Sequence, residues 1–385
     1  MTEQGMAENL TPREQRLGEF QSEIGELFPV PRESADAYGS SISGMVLDVN
    51  QAMMNHPRLS ELVGGCPVNI MRKNHHNHAR FMQTVFLLNS PEMLANALPW
   101  VYRVYSSRGF SYDYFPAELS AWQEAVEEHL DSSMTDPILE VYRFMRSHHE
   151  EVIELSRLTP VQLFRAKTWS QDLETLLAHL FEGSWQKAAH ILTSSFEQDV
   201  DPGRRYQERV EAVMYRTGAL WEEGKISVAQ EHLATSTMDR VMAFAYEKQL
   251  ISEPTKGRAL VACTEDELHE LGGRIVADLL ETDGWDCTFL GADVPAAELV
   301  HLATQLSPHI ICLSAALPYH LSNVLKTIKM MRKQEELADT RIMVGGLAFQ
   351  VAPPTTEQLG ADGFAPDARG AVKLASKWWE ELSEQ

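Results

Sequence analysis

Basic residues are scarce in this chain of 385 residues: 33 lysines and arginines stand against 55 aspartates and glutamates, a formal net charge of −22. Binding nucleic acid needs clustered Lys and Arg to neutralise phosphates, and here they are scattered, so no nucleic-acid partner is expected. Long apolar runs are also missing. No stretch reaches the about eighteen apolar residues that would span a bilayer, and Met1 to Glu19 is polar and charged rather than signal-like. The expectation is a cytoplasmic protein that does not engage a membrane. Cysteine is rare, and Cys66, Cys263, Cys287 and Cys312 form neither a CxxC pair nor a zinc pattern, which leaves reduced core thiols. The chain has no repeat at solenoid spacing, no low-complexity tract, no GxxxxGK[ST] phosphate loop and no paired catalytic motif.

A chain of this length divides into two or three domains. In its last third, strands and helical patterns alternate. Ala259–Cys263 reads as a strand, Gly273–Glu281 as an amphipathic helix and Trp285–Gly291 as a second strand, with Val294-Pro295 opening the next helix. His309–Ser314 and Arg341–Val344 follow as strands, then Gly345-Gly346 and a short fifth strand, Gly363–Ala365. The spacing predicts a doubly wound, Rossmann-like parallel sheet whose ligand lies beyond the carboxyl ends of the strands. Ser314, Gly345 and Gly346 fall at such ends.

Between the first strand and its helix runs Glu267-Leu268-His269-Glu270-Leu271-Gly272. A histidine on such a loop can reach a metal beyond the sheet edge. The acidic residue two positions earlier can hold its other ring nitrogen. A lone histidine at a strand end is more often a satisfied surface or core residue; the ordered companions favour the metal reading.

Upstream, Trp169–Glu182, Trp185–Gln198, Arg204–Glu223 and Ser227–Leu250 carry apolar positions at helical spacing and predict a four-helix bundle. Nine residues separate Trp221 from the pair Glu231-His232. An indole can wall off a flat organic group, and a carboxylate can accept bonds from ribose hydroxyls. Taken alone, these residues read as a core aromatic and a solvated face.

The order acid-x-His-x-x-Gly resembles the lower-ligand motif of cobalamin-binding domains, with Glu267 in place of the usual Asp. The resemblance covers roughly residues 255 to 385. It implies His269 as the lower axial ligand of cobalt, Glu267 as its hydrogen-bond partner and Gly272 as the motif glycine. It further implies Ser314 bonded to the nucleotide base of the cobalamin tail, with Gly345 and Gly346 making room for that tail. The bundle is similar to the helical cap over the corrin's upper face. A Trp, nine residues, then Glu-His is the version found in the light-sensing branch, where it makes space for 5′-deoxyadenosyl. That implies adenosylcobalamin held by Trp221, Glu231 and His232. In the light-sensing repressors a histidine follows this Trp and takes the upper cobalt position after photolysis. Here Glu222 stands in its place, which leaves His232, His190 or water.

The first 155 residues are helical in pattern: Pro12–Leu27, Ser41–Met54, a segment around Pro57–Leu62, Met71–Asn89, Ser90–Tyr105, Pro116–Leu130 and Pro137–Ser156. Six or seven such helices suit a globin-like packing. Three readings remain open: a dimerisation bundle, a haem globin with His75, His76 or His78 on iron, and a linear-tetrapyrrole site. The last is favoured because the domain order resembles the photocobilins, photoreceptors carrying cobalamin and biliverdin. Under it, Arg72, His76, His78 and Arg80 are candidates for propionate or pyrrole contacts, since positions 72, 76 and 80 share a helical face. Asp113 is the next candidate, beside Tyr102, Tyr105 and Tyr112. Cys66 is the one cysteine of this region, and noncovalent binding is expected.

The sequence therefore predicts a multidomain α and α/β protein: a globin-like helical domain (1–156), a four-helix bundle cap (157–252) and a Rossmann-like cobalamin domain (253–385). The resemblance implies a light sensor and not an enzyme. In it, photolysis of the cobalt–carbon bond of adenosylcobalamin shifts a light-dependent homo-oligomer, biliverdin is a second chromophore, and a downstream protein partner reads the change. The alternative is a corrinoid methyl carrier of a methyltransferase system. A mutase would need a substrate barrel of some 200 to 300 residues, which is missing.

Overall fold

The computed structural model describes residues 12–157, 169–194, 201–249, 253–351 and 356–383. The chain falls into two units, one made essentially of Met1–Pro160 and the other of Val161–Gln350 with Thr355–Gln385.

The first unit is helical: α1 Pro12–Gly25, α2 Arg32–Met54, α3 Leu59–Val63, α4 Val68–Leu88, α5 Pro91–Ser107, α6 Tyr114–His129, α7 Ser132–Ser147 and α8 His149–Arg157. Proline marks several starts. Pro31 and Pro67 stand just before α2 and α4, and Pro91 opens α5, where its missing N–H is not needed. Asn89, in the left-handed conformation (φ 46°), ends α4. Helix α2 packs on α4, α6 and α7, and α5 on α1 and α8. It begins earlier than the expected Ser41, running straight through Gly39 and Gly44. Those positions lie against the side chains of Gln83 and His129, where a Cβ would collide. The expected single helix Pro137–Ser156 is two, α7 and α8, parted at His148.

In the second unit, α9 Gln171–Phe181, α10 Trp185–Thr193, α11 Pro202–Glu222 and α12 Val228–Gln249 form the bundle. Ser170 and Asp201 cap α9 and α11 by accepting the backbone N–H groups of Leu173 and Arg204 at 3.4 and 2.9 Å. The expected helix ends Gln198 and Leu250 lie outside the described residues.

The sheet has strands β1 Arg258–Cys263, β2 Asp286–Phe289, β3 Ile310–Ser314, β4 Arg341–Gly345 and β5 Gly363–Ala365, all parallel, in the order β2-β1-β3-β4-β5. Strands β1, β3 and β4 are near-continuous apolar runs because helices cover both faces. These helices are α13 Leu271–Thr282, α14 Ala296–Leu306, α15 Leu321–Met331, the short α16 Ala348–Val351 and α17 Thr356–Leu359, and α18 Ala368–Ser383. The chain leaves β1 towards β2 on one side and returns to β3 on the other, so the crevice of this fold opens between the carboxyl ends of β1 and β3.

Bundle and sheet share one apolar core. Leu176, Leu180, Val210, Val213, Met238 and Val241 of the bundle pack with Ile275 and Leu279 of α13 and Ala368 of α18. Polar ties run alongside: Tyr206 donates to Asp278 at 2.5 Å, Tyr246 donates to Glu281, and Arg274 pairs with Asp239. No described helix is long and apolar enough to cross a membrane.

Candidate functional site

The turn after β1 is tightly built. Asp266 and Asp293 both adopt positive φ (68° and 52°). Asp293 Oδ1 accepts the Asp266 N–H at 2.7 Å, while the Asp293 N–H donates to the Glu267 carbonyl at 2.9 Å. Asp and Asn tolerate this backbone region better than most side chains. The result is a Glu267 side chain fully enclosed, with no exposure at all.

Both carboxylate oxygens of Glu267 are occupied. Oε1 lies 2.6 Å from His269 Nδ1 and accepts the His269 N–H at 2.9 Å. Oε2 takes the N–H groups of Ala316 and Leu317 at 2.7 and 3.3 Å, and His320 Nδ1 at 2.8 Å. Burial alone would push this carboxyl up. The hydrogen bonds from His269 and His320, with the charges of those rings, outweigh it and hold Glu267 well below the usual carboxylate range. A permanent carboxylate thus ties the loop after β1 to the loop after β3 across the crevice.

The effect on His269 is equally direct. Its Nδ1 is held as a donor, which assigns the lone pair to Nε2. The bond to Glu267 raises its proton affinity, burial opposes that rise, and the charges of Glu267 and of Glu231 from α12 add to it. The imidazole remains 60% exposed, and among the described residues nothing bonds its Nε2. Leu268 beside it is 66% exposed, an apolar shelf next to a basic nitrogen. This donor set suits a metal held in a flat apolar ring.

Behind His269 the sheet edge is level. Register places Cys263, Ser314, Gly345 and Ala365 side by side on β1, β3, β4 and β5. Small residues are required along it. A Cβ at Gly273 would stand 3.2 Å from Cys263 Sγ, one at Gly345 would stand 2.9 Å from the Ala365 carbonyl oxygen, and one at Gly346 (φ 107°) would collide with the Ala315 carbonyl. A Cβ at Gly272, by contrast, would meet no atom within 4 Å. Gly345 and Gly346 let neighbouring backbone close in along the ends of β3, β4 and β5. Ser314 is half-buried in that row, opposite Cys263, whose thiol donates to the His269 carbonyl at 3.8 Å and is pushed up to about 12 by burial. All four cysteines are free thiols.

On the bundle side, Trp221 is half-buried in the last turn of α11, and Glu231 stands in the first turn of α12. Glu231 accepts from Thr235 at 2.8 Å and pairs with His232 Nδ1 at 2.6 Å, while His232 itself is 75% exposed. The charge of Glu231 reaches His269, so the structure brings Glu231 of the bundle to the loop that carries Glu267 and His269.

The residues singled out in the first unit do not gather in one place. Arg72 and His76 are exposed on α4, and Arg80 is half-buried. Asp113 pairs with Arg58 at 2.8 Å on the surface. His78 turns inward, stacking on Trp122 and bonding the Tyr142 hydroxyl at 3.1 Å. His75 is fully buried with both nitrogens used, by Asn50 and Tyr114 at 2.8 Å each, which leaves no lone pair for an iron. Sequence reading missed His320 and Glu118. The first lies 53 residues from its partner Glu267, and a helical glutamate such as the second gives no sign of being buried.

Two family models match this chain, both described as a B12 binding domain, over residues 172–246 and 257–374. A dimethylamine corrinoid protein of Methanosarcina mazei is 25% identical over 186 residues, 47% of this chain and 85% of that protein. A trimethylamine corrinoid protein of the same organism is 25% identical over 188 residues, 48% and 86% of the two chains. A corrinoid protein of Desulfitobacterium hafniense is 23% identical over 209 residues, 53% and 96%. Among solved structures, a monomethylamine corrinoid protein of Methanosarcina barkeri aligns with a TM-score of 0.45 at 19% identity, over 53% of this chain and 97% of that one. The chain carries a cobalamin-binding module, built from the bundle and the parallel sheet, and a helical amino-terminal unit that lies outside both matched ranges.

Proposed function

We propose that this chain is a corrinoid carrier, which holds cobalamin through His269 between sheet and bundle and presents it to partner proteins instead of completing a reaction alone. The observation that carries the reading is the Glu267–His269 pair: an enclosed carboxylate on Nδ1 and an Nε2 with no partner among the described residues. The corrinoid relatives support a carrier over the light sensor that the sequence motifs suggest. When bound, the cobalt supplies a position at which a one-carbon group is taken up and given away. The residues supply the rest: Glu267 fixes the His269 tautomer, Gly345 and Gly346 shape the sheet edge on which the tail would lie, and Trp221 and Glu231 border the face towards the bundle.

One set of observations favours a second reading, a light sensor binding adenosylcobalamin. Trp221 and Glu231 sit on adjoining helix ends, with Glu231 near enough to act on His269, and the first unit is more than a carrier requires. Its biliverdin component asks more of the structure. The cavity lined by His78, Tyr102 and Phe115 is about 40 Å³, whereas ligand pockets run to about 300 Å³ or more; a cleft of that size, about 360 Å³ and lined by Leu47, Asn50, Gln51, Met54 and Arg72, opens between α2 and α4, away from His78.

The test is the apoprotein titrated with methylcobalamin and adenosylcobalamin, then sized by chromatography in the dark and after green light. A carrier binds both within about threefold and keeps one oligomeric state. Adenosyl preference above about tenfold, a light-dependent change of size and a red absorption band with biliverdin would replace it with the sensor. Failure to bind either cobalamin would overturn both.

A further inference from the structure

The interior of the first unit holds a carboxyl group that none of the readings above employs. Glu118 of α6 is 4% exposed. Its one side-chain partner is the indole of Trp122, whose Nε1 donates to Oε1 at 3.2 Å, and no lysine or arginine pairs with it among the described residues. Trp122 is fully buried and stacked on His78 at 5.0 Å between ring centroids. His78 bonds the Tyr142 hydroxyl, which lies 2.7 Å from that of Tyr38. Glu118 and His78 also share the cavity of about 40 Å³, whose other walls are apolar or aromatic, from Leu94 and Tyr102 of α5 to Met145 of α7. The cavity has room for about one water and little more.

A lone carboxyl in such surroundings is comfortable only while it keeps its proton, because ionisation would leave a charge with one donor and no cation. We propose that Glu118 is a proton-operated latch: protonated, it leaves α4, α5, α6 and α7 closed around the cavity, and ionised, it draws water in and loosens them.

Among the buried ionisable side chains around the cavity, Glu118 is the one moved towards neutrality; burial lowers His75 of α4 to about 4 and also lowers His149, which bonds Tyr102 at 3.0 Å. Burial pushes Glu118 up to about 7, against the bond from Trp122. Burial also lowers His78 of α4 to about 3, while it raises Tyr38 of α2, Tyr102 of α5, Tyr114 of α6 and Tyr142 of α7 well above their ordinary range. Those groups therefore stay neutral between pH 5 and 9. A carboxyl that holds its proton more tightly folded than unfolded contributes stability at low pH. That contribution falls away as pH rises from about 4.5, the ordinary value, to about 7.

The experiment uses the full chain and its Glu118→Gln variant, which keeps an acceptor for Trp122 and cannot ionise. Hydrogen exchange of residues 91–129 is measured at pH 5.5 and 8.5, corrected for intrinsic rates, together with the infrared band of a protonated buried carboxyl. The expected result is exchange at least tenfold faster at pH 8.5 in the wild type and unchanged by pH in E118Q, with the wild-type-minus-E118Q difference spectrum showing a protonated carboxyl band that fades as pH rises. The folding equilibrium constant should fall by about two orders of magnitude relative to E118Q between pH 4.5 and 7. Exchange in the wild type that does not change with pH, or equal pH dependence in the two proteins, overturns the latch. Should E118Q fail to fold, wild-type exchange decides the question: exchange of residues 91–129 that does not quicken between pH 5.5 and 8.5 refutes it.

Discussion

His320 Nδ1 donates to Glu267 at 2.8 Å from the far side of the carboxylate, so one enclosed acid is shared between two imidazoles. With the N–H groups of His269, Ala316 and Leu317, the two rings give this buried glutamate five donors. The loop after β3 supplies two of the backbone N–H groups and the second ring.

Replacing His320 with Leu removes that ring and leaves Oε2 to the backbone alone. The expected cost is about 1–3 kcal/mol of stability and about tenfold in cobalamin affinity. His320→Asn, which can place an N–H near the Nδ1 position, should recover most of both. Calorimetric unfolding and a cobalamin titration of the two variants check this, and equal losses would reduce His320 to a space-filling role.

His269→Ala takes a hydrogen-bond partner from the enclosed Glu267 carboxylate, so the apoprotein should lose about 1–3 kcal/mol of stability, as with His320→Leu. Cobalamin affinity should drop by at least about tenfold, and the absorption spectrum of the bound corrin should lose the signature of imidazole ligation. An unchanged dissociation constant would assign the lower ligand elsewhere.

Gly346→Ala meets two obstacles, a left-handed backbone (φ 107°) and the Ala315 carbonyl. The expected destabilisation is about 1–3 kcal/mol, read as a lower melting temperature. Cobalamin binding should weaken as well, because the sheet edge shifts where the tail would lie. Wild-type affinity in a folded variant would place the tail away from β4.

The tie between bundle and sheet should depend on pH. Burial pushes Asp278 up to about 6, against the bond from Tyr206. The folded state then holds this proton more tightly than the unfolded chain, and the associated stability, up to about 3 kcal/mol, falls as pH rises from about 4 to 6. Asp278→Asn should flatten that part of the denaturation midpoint against pH; a profile identical to wild type would show that another group governs the window.

What the sequence revealed and what it hid follow from the range of the interactions. Glu267 and His269 are two positions apart, and the strand before them and the helix after them are local patterns, so the pair was legible. The five strands were legible too, because enclosure on both faces makes continuous apolar runs; β2 is shorter than expected, Asp286–Phe289 in place of Trp285–Gly291. His320 was hidden because its role is created by β1 and β3 lying side by side. In the first unit, the helical face shared by positions 72, 76 and 80 was real but points outward, while His75 and His78 turn in. Periodicity places residues on a common face without saying which face is buried when both contain imidazoles and cations.

Helix α13 begins two residues after His269, and its far end carries Asp278 and Glu281, the partners of Tyr206 and Tyr246. Twelve residues, none of them proline, make a rod about 18 Å long. The loop that carries the imidazole and the two acids that anchor the bundle's phenol hydroxyls thus lie at opposite ends of a single element.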